Sequence, residues 1–425
     1  MASQLIIRTI TLANGERLPL PVERASGMPL YKPTLFILTE VRQRNLATAT
    51  ILRTLRELVV FFDFLSEHDI KLEERMKTGQ ILSLWEIDAL ARRCREWAGE
   101  SDHIDTYQPS LQEANVLSLE KARMHRSKTI PKVVAPQTTA NRIRTIHAYL
   151  EWLTSSYLSG HALTPELNAM LRVAAADVLG SLRQRIPKSK GRNILGQREG
   201  LPNEILERIL AVIDPASSEN PWRDRFVRSR NVLIIYLLRT LGLRRGELLN
   251  IKISDIDFRK NEISILRRPD DPTDPRIHQP RVKTRERILP LSESLVSSIE
   301  HHILHERARI PRAKKLAFLF ITERTGQPMS LASLNKLFRV LRTRLPDLPE
   351  DITPHILRHD WNDEFSERMD AKKIPEAEEL RYRSYLMGWS PTSNTAATYT
   401  RRHVRNKAMA VSLEMQAQKP KRRSE

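Results

Sequence analysis

Apolar residues recur at three- and four-residue spacing from residue 45 onward: Ile51, Leu52, Leu55, Leu58, Val59, Phe62 and Leu65 share a stripe that Arg53 and Arg56 avoid. That period fits an α-helix with one buried face, and Asn45 supplies an N-cap. Two more such stretches follow, over about 80–98 and from Thr138, where Ile143, Ile146, Leu150 and Leu153 line up and Arg142 and Arg144 stand aside. Helices with apolar stripes can bury one another, so residues 36–185 are expected to form an all-helical domain. Ahead of them, Leu5-Ile6-Ile7-Arg8-Thr9-Ile10 is strand-like and prolines follow, so residues 1–35 read as an arm or small cap.

The periodicity breaks over 186–200, a basic stretch containing Pro187 and Gly191, which reads as a linker. Beyond it lies a second domain, residues 201–410. Pro202 suits a first helical turn, a helix follows to about Val212, and a more apolar helix, Val232–Leu241, ends at Gly242. Strand-like Glu262–Leu266 and Arg287–Leu291 flank the polar, proline-rich Arg267–Lys283, a long hairpin connection. Helices are then expected over Ser292–Arg309, Leu331–Leu345 and His355–Met369, ahead of a basic tail at 411–425. The fold class is therefore mainly α with a small antiparallel β-sheet, and no internal repeat is visible.

Charge narrows the choice of partner. Lys and Arg number 70 against 51 Asp and Glu, a net charge of +19 over 425 residues, which points to a polyanion and first to nucleic acid. A membrane surface is the competitor, but no run approaches the ~18 apolar residues a spanning helix needs. Met1-Ala2-Ser3-Gln4 does not open a basic-then-apolar leader, so a cytoplasmic, nucleoid-associated protein is expected. A single cysteine, Cys94, excludes an intramolecular disulfide and a cysteine-built metal site, and reads as an ordinary helix residue. His301 and His305 stand one helical turn apart beside His302 and Glu306, but the His-Glu-x-x-His order is missing, so a solvated helix face is expected there and no metal. Candidate contacts to a nucleic-acid backbone are Arg123, Arg126 and Lys128 in a basic loop, Arg142, then Arg185, Lys188 and Lys190 near the linker, and Arg285; each has solvated surface as its ordinary alternative.

The chemistry-bearing residues stand in a suggestive order. Arg244 precedes His355, Arg358, His359, Trp389 and Tyr399. A phosphodiester attacked by a phenol develops charge on its non-bridging oxygens, and two guanidiniums with an imidazole or indole donor can hold that charge. Taken singly, each residue has a plain structural alternative, Trp389 as packing and an arginine as surface cation; order and context together carry the functional reading.

On these motifs the chain resembles the tyrosine recombinase, or phage integrase, family. Gly242-Leu243-Arg244-Arg245-Gly246-Glu247-Leu248-Leu249 matches the first arginine box, which implies Arg244 as a catalytic arginine, Glu247 as its buttress and Arg245 as a surface residue. Val282-Lys283-Thr284-Arg285-Glu286-Arg287-Ile288-Leu289-Pro290 matches the hairpin of the catalytic lysine, giving Lys283. His355-Ile356-Leu357-Arg358-His359 matches the second box, carrying over His355, Arg358 and, as a supporting residue, His359. Leu386-Met387-Gly388-Trp389-Ser390 is similar to the block that bears a histidine or tryptophan, and Ala397-Thr398-Tyr399-Thr400 supplies the nucleophile. Two departures are a longer segment between Arg358 and Trp389 and one extra residue between Trp389 and Tyr399.

The resemblance implies a helical core-binding domain and a catalytic domain forming a C-shaped clamp on double-stranded DNA. It also implies strand exchange through a 3′-phosphotyrosyl intermediate, no cofactor, metal or ATP, and a homotetramer on DNA with an accessory recombinase or DNA-bending protein as possible companions. Within it, Arg244 and Arg358 would hold the phosphate, His355 would assist proton transfer, Trp389 would donate an indole hydrogen bond and Lys283 would protonate the leaving 5′ oxygen. A type IB topoisomerase-like enzyme and a non-catalytic accessory DNA-binding protein are the alternatives.

Overall fold

The computed structural model describes residues 5–44, 48–97, 133–188, 200–349, 352–390 and 401–417, with side chains of 403–416 alone in the last segment. The chain divides into two compact units, Met1–Arg192 and Asn193–Glu425.

In the first unit, strands β1 (Leu5–Thr11) and β2 (Arg17–Glu23) pair antiparallel in the register Leu5↔Glu23 to Thr11↔Arg17. The segment read as an arm or cap thus contains a hairpin, and its Leu5, Ile7 and Leu18 belong to the unit's main core. Helix α1 (Tyr31–Phe36) runs into a π turn, and α2 (Thr48–Glu67), α3 (Leu72–Met76), α4 (Leu84–Arg93), α5 (Pro136–Gly160) and α6 (Pro165–Gln184) follow. Because the hairpin covers one side of α2 and α5 another, residues off the aliphatic stripe, such as Val60 and Phe61, are buried too. Asn45, the expected cap of α2, lies outside the described residues.

The second expected helix is shorter than its apolar pattern, starting at Leu84 and ending at Arg93. Ser83 closes its N-terminus in a capping box with Glu86, whose carboxylate accepts the Ser83 N–H at 2.7 Å. At the other end Cys94 is buried, and Arg142 of α5 donates to the carbonyls of Cys94 (3.0 Å) and Glu96 (2.7 Å). Arg142 is therefore corrected from a DNA contact to an internal cap: only 8% exposed, its guanidinium satisfies carbonyls that the end of α4 leaves open.

The second unit carries α7 (Asn203–Ile213), α8 (Arg225–Thr240) and the short α9 (Arg245–Leu249). Strands β3 (Ile256–Asp257), β4 (Glu262–Ile265) and β5 (Arg287–Pro290) form an antiparallel sheet in that order. Next come α10 (Glu293–His301), α11 (Leu331–Arg344), α12 (Pro354–Ala371), α13 (Glu376–Met387) and α14 (Arg401–Ala417). The architecture is mainly helical with small antiparallel sheets, and no described helix is long and apolar enough to cross a membrane.

Local chemistry explains where elements differ from expectation. Asp224 caps α8 by accepting the Val227 N–H at 2.8 Å, so that helix begins ahead of its apolar stretch. The helix expected over Ser292–Arg309 is α10 only to His301, then a π turn over His302–Glu306. A π turn shifts the inward face by one residue. Accordingly His302 is buried with its ring 5.8 Å from that of Phe226, and Glu306 is buried accepting from Arg225 Nε at 3.0 Å, while His301 and His305 remain exposed. The solvated face expected for this cluster is thus half internal.

Candidate active site

Helix α8 ends at Thr240, Gly242 turns the chain in a left-handed conformation (φ 58°), Leu243 plugs into the core, and Arg244 takes an extended backbone (φ −74°, ψ 148°) as the N-cap of α9. Three residues on, Glu247 folds back to accept the Arg244 N–H at 3.1 Å, the acid half of a capping box. The Arg244 side chain keeps 26% exposure and places Nη1 3.6 Å from Glu247 Oε1. That Nη1 has no hydrogen-bond acceptor among the described residues.

Glu247 is the hub of the site. Its Oε1 accepts from the Thr284 hydroxyl at 2.6 Å and its Oε2 from Arg287 Nη2 at 2.8 Å, with Arg358 Nη1 4.0 Å away. Burial pushes its carboxyl upward, but Arg287 and Arg358, with the hydrogen bonds from Arg287 and Thr284, more than offset this and hold it below the ordinary carboxylate range. Sequence reasoning missed Arg287 as a functional residue. The available signal is strand alternation: Arg287 sits opposite Ile265 in the register, on the face that Leu289 and Ile263 also bury, where a cation needs a carboxylate.

A carboxylate with a depressed folded-state pKa contributes stability above its unfolded value and loses it as pH falls through the folded one. Glu247→Gln is therefore expected to destabilise the chain by about 3 kcal/mol at pH 7, because it leaves the buried Arg287 cation uncompensated. The deficit should shrink as pH falls through the depressed folded-state value, where wild type also protonates this carboxyl. Urea melts in a series from about pH 7 downward check this, and a deficit that stays constant down to the acid unfolding of wild type would refute it.

Pro354 opens α12, and one turn apart on it stand exposed His355 and Arg358, whose side chain is 0% exposed. Arg358 donates to the carbonyls of Gly242 and Met387 (3.2 Å for the latter), and its guanidinium carbon lies 5.5 Å from the Trp389 ring centre. Asn362, one turn on, donates to the Arg358 carbonyl at 2.7 Å. His359 is buried, its ring 4.9 Å from that of His355 in an edge-to-face arrangement.

Trp389 is delivered by a helix end. Helix α13 closes on Gly388, which is left-handed (φ 64°), and the Trp389 N–H bonds the Ser384 carbonyl at 2.8 Å, turning the chain back over α12. A Cβ at Gly388 would lie 2.8 Å from both the Arg285 carbonyl and Thr284 Cβ, so only glycine fits. Met387 and Trp389 pack with Trp361 and Leu386 as a small hydrophobic cluster, which Leu386 joins to the unit's main core. An open groove of about 610 Å³ runs past Trp389 and is lined also by Arg285, Arg381 and Tyr385.

Lys283 lies in the connection before β5, beside the anchored Thr284; it is exposed and has no hydrogen-bond or ionic partner among the described residues. The structure thus brings Arg244, Glu247, Arg358, His359 and Trp389 together, with His355 and Lys283 at the rim. Arg185 is held by Asp88 at 2.7 Å, while Lys188 and Arg285 are exposed. Tyr399, Arg123, Arg126, Lys128 and Lys190 lie outside the described residues. Among the described residues no group of His, Cys, Asp or Glu side chains is gathered as metal ligands.

The phage integrase family profile matches residues 201–405. Tyrosine recombinase XerC of Chlamydia muridarum is 28% identical over 200 residues, covering 45% of this chain and 55% of its own. XerC of Proteus mirabilis is 25% identical over 253 residues, covering 59% and 65%. The chain spans about half the length of the first of these relatives. Among solved structures, the Tn1549 transposon integrase in complex with transposon right end DNA is similar with a TM-score of 0.44 and 16% identity, over 89% of this chain and 100% of that one. The matched span encloses every residue assembled around Glu247, and over it, a little under half of the chain, the sequence matches the phage integrase family, that of the tyrosine recombinases.

Proposed function

We propose that this chain is a site-specific DNA recombinase that cleaves and rejoins strands through a 3′-phosphotyrosyl intermediate. The observation that carries the reading is the pair of guanidiniums, Arg244 and Arg358, drawn from separate elements to within 3.6 and 4.0 Å of one buried carboxylate whose hydrogen bonds are taken by Thr284 and Arg287. Glu247 thereby orients both cations, and Arg244, 26% exposed, keeps Nη1 as a donor for a phosphate. Planar guanidiniums match phosphate oxygens and stabilise the charge of a pentacoordinate transition state, the task a metal ion performs elsewhere.

In the cleavage step the Tyr399 phenol oxygen bonds to phosphorus as the bond from phosphorus to the 5′ oxygen breaks. His355 takes the phenol proton, and Lys283 gives a proton to the departing 5′ oxygen. Trp389 packs against Arg358 and donates from its indole. Attack by the 5′ hydroxyl of another strand reverses the step and restores the phosphodiester, so bond energy is kept and no ATP is consumed. Exchange between two duplexes uses four such sites, hence a homotetramer on DNA, and the +19 charge suits that partner.

Covalent trapping tests the proposal. The chain is incubated with DNA flanking its own gene and denatured, the attached DNA is sequenced and the linked peptide is identified by mass spectrometry. An adduct at a discrete site, on the peptide containing Tyr399, is the expected result. Binding without any adduct would leave an accessory DNA-binding protein, and sequence-independent relaxation of supercoiled plasmid would leave a topoisomerase-like enzyme.

A further inference from the structure

Arg287 is not among the residues to which the proposed mechanism gives a step, yet all three of its guanidinium nitrogens are engaged within the site. Buried in the sheet, it donates Nε to the Leu386 carbonyl (2.6 Å), Nη1 to Thr284 Oγ1 (3.1 Å) and Nη2 to Glu247 Oε2 (2.8 Å). One fork thus ties the end of α13, the connection carrying Lys283 and the first turn of α9. Thr284 is fixed in both roles, accepting from Arg287 and donating to Glu247 at 2.6 Å.

Lys283 itself is exposed and has no partner among the described residues, so its position is inherited from the backbone on either side. That backbone is pinned tightly. On one side, Gly246 lets the Arg281 carbonyl approach so closely that a Cβ would lie 2.4 Å from it. On the other, Thr284 is held as above and the Arg285 N–H bonds the Gly388 carbonyl at 2.9 Å. Of these clamps, only Arg287 touches Thr284, Glu247 and α13 at once.

We propose that Arg287, acting through Thr284, is the positioning residue that holds Lys283 where it can protonate the leaving 5′ oxygen. The inference rests on the reading of Lys283 as the proton donor. A lysine at 287 would keep a positive charge beside Glu247 but cannot bond in three fixed directions, so geometry and charge are separable.

The test compares wild type, Arg287→Lys, Thr284→Val and Lys283→Ala on a nicked duplex spanning the trapped cleavage site. The scissile linkage is either an ordinary phosphodiester or one with sulfur in place of the bridging 5′ oxygen. Sulfur departs as a thiolate and needs no proton, so a defect confined to protonation disappears on that substrate. Arg287→Lys and Thr284→Val should cleave the ordinary linkage about 100-fold more slowly than wild type and the sulfur linkage within about threefold of it. Equal loss on both linkages, or no loss on either, overturns the proposal. Lys283→Ala separates the two levels: rescue there without rescue of the other two variants refutes only the role of Arg287. Absence of rescue in Lys283→Ala removes the proton-donor reading and this inference together.

Discussion

Tyr399→Phe is expected to reduce the covalent DNA adduct to background while leaving DNA affinity within about threefold of wild type. Phenylalanine keeps the ring and removes only the oxygen that attacks phosphorus. A free phenol titrates near ~10 and is a poor nucleophile at neutral pH, so its reactivity has to come from surrounding cations that favour the phenolate as the bond forms. In the proposed mechanism Arg244 and Arg358 supply that field, and phenylalanine makes it useless without altering it. Gel analysis after denaturation measures the adduct, and fluorescence anisotropy on the same DNA measures binding. Persistent adduct in the variant would move the nucleophile to another side chain and break the proposed mechanism at its first step.

Arg358→Lys tests the other half of that step, the electrostatic one. Lysine preserves the charge, but a single ammonium cannot span the carbonyls of Gly242 and Met387 while also stacking beneath Trp389. Cleavage should fall by about 10²–10³-fold, the usual cost of losing an aligned donor to a developing oxyanion. Binding should persist, because most affinity for DNA comes from phosphate contacts spread over the whole surface. Single-turnover cleavage at saturating protein gives the number, and a loss under tenfold would show that charge alone, without the fork, suffices at this position.

Helices whose buried face is aliphatic are legible from spacing alone. The stripes of α2 and α5 and the apolar stretch of α8 all lie in the cores their periods imply. Helix α13 is illegible for the complementary reason: its buried residues are Arg383, Ser384 and Met387, so no hydrophobic stripe exists to be counted. Arg383 pairs with Glu379 one turn away on its own helix and also donates to the Asn362 carbonyl at 2.8 Å, a contact 21 residues distant in sequence that local periodicity cannot carry.

The candidate site divides along the same line. The Gly-Leu-Arg-Arg-Gly-Glu and His-x-x-Arg-His segments are legible because their spacing on helices is local, and the structure brings Arg244, Glu247 and Arg358 to one place. Arg287 and Thr284 escape notice because their importance depends on strand register and on Glu247 arriving from another element. Arg142 misleads in the opposite direction, since a guanidinium off the apolar stripe of α5 resembles a surface cation until the open end of α4 is placed against it.

The small cluster of Met387 and Trp389 with Trp361 meets the main core of its unit through Leu386. Its hold on the rest of the site is largely polar: Arg358 on the Met387 carbonyl, Arg287 on the Leu386 carbonyl, and Arg285 on the Gly388 carbonyl. Opening this segment is therefore expected to cost a few hydrogen bonds and the apolar area of Met387 and Trp389, less than global unfolding. Amide protons of residues 386–389 should accordingly exchange through a local event, ahead of those of α8 and α11. A recombinase of the proposed kind, which must release one strand and accept another, would gain from such a local opening while the scaffold stays folded.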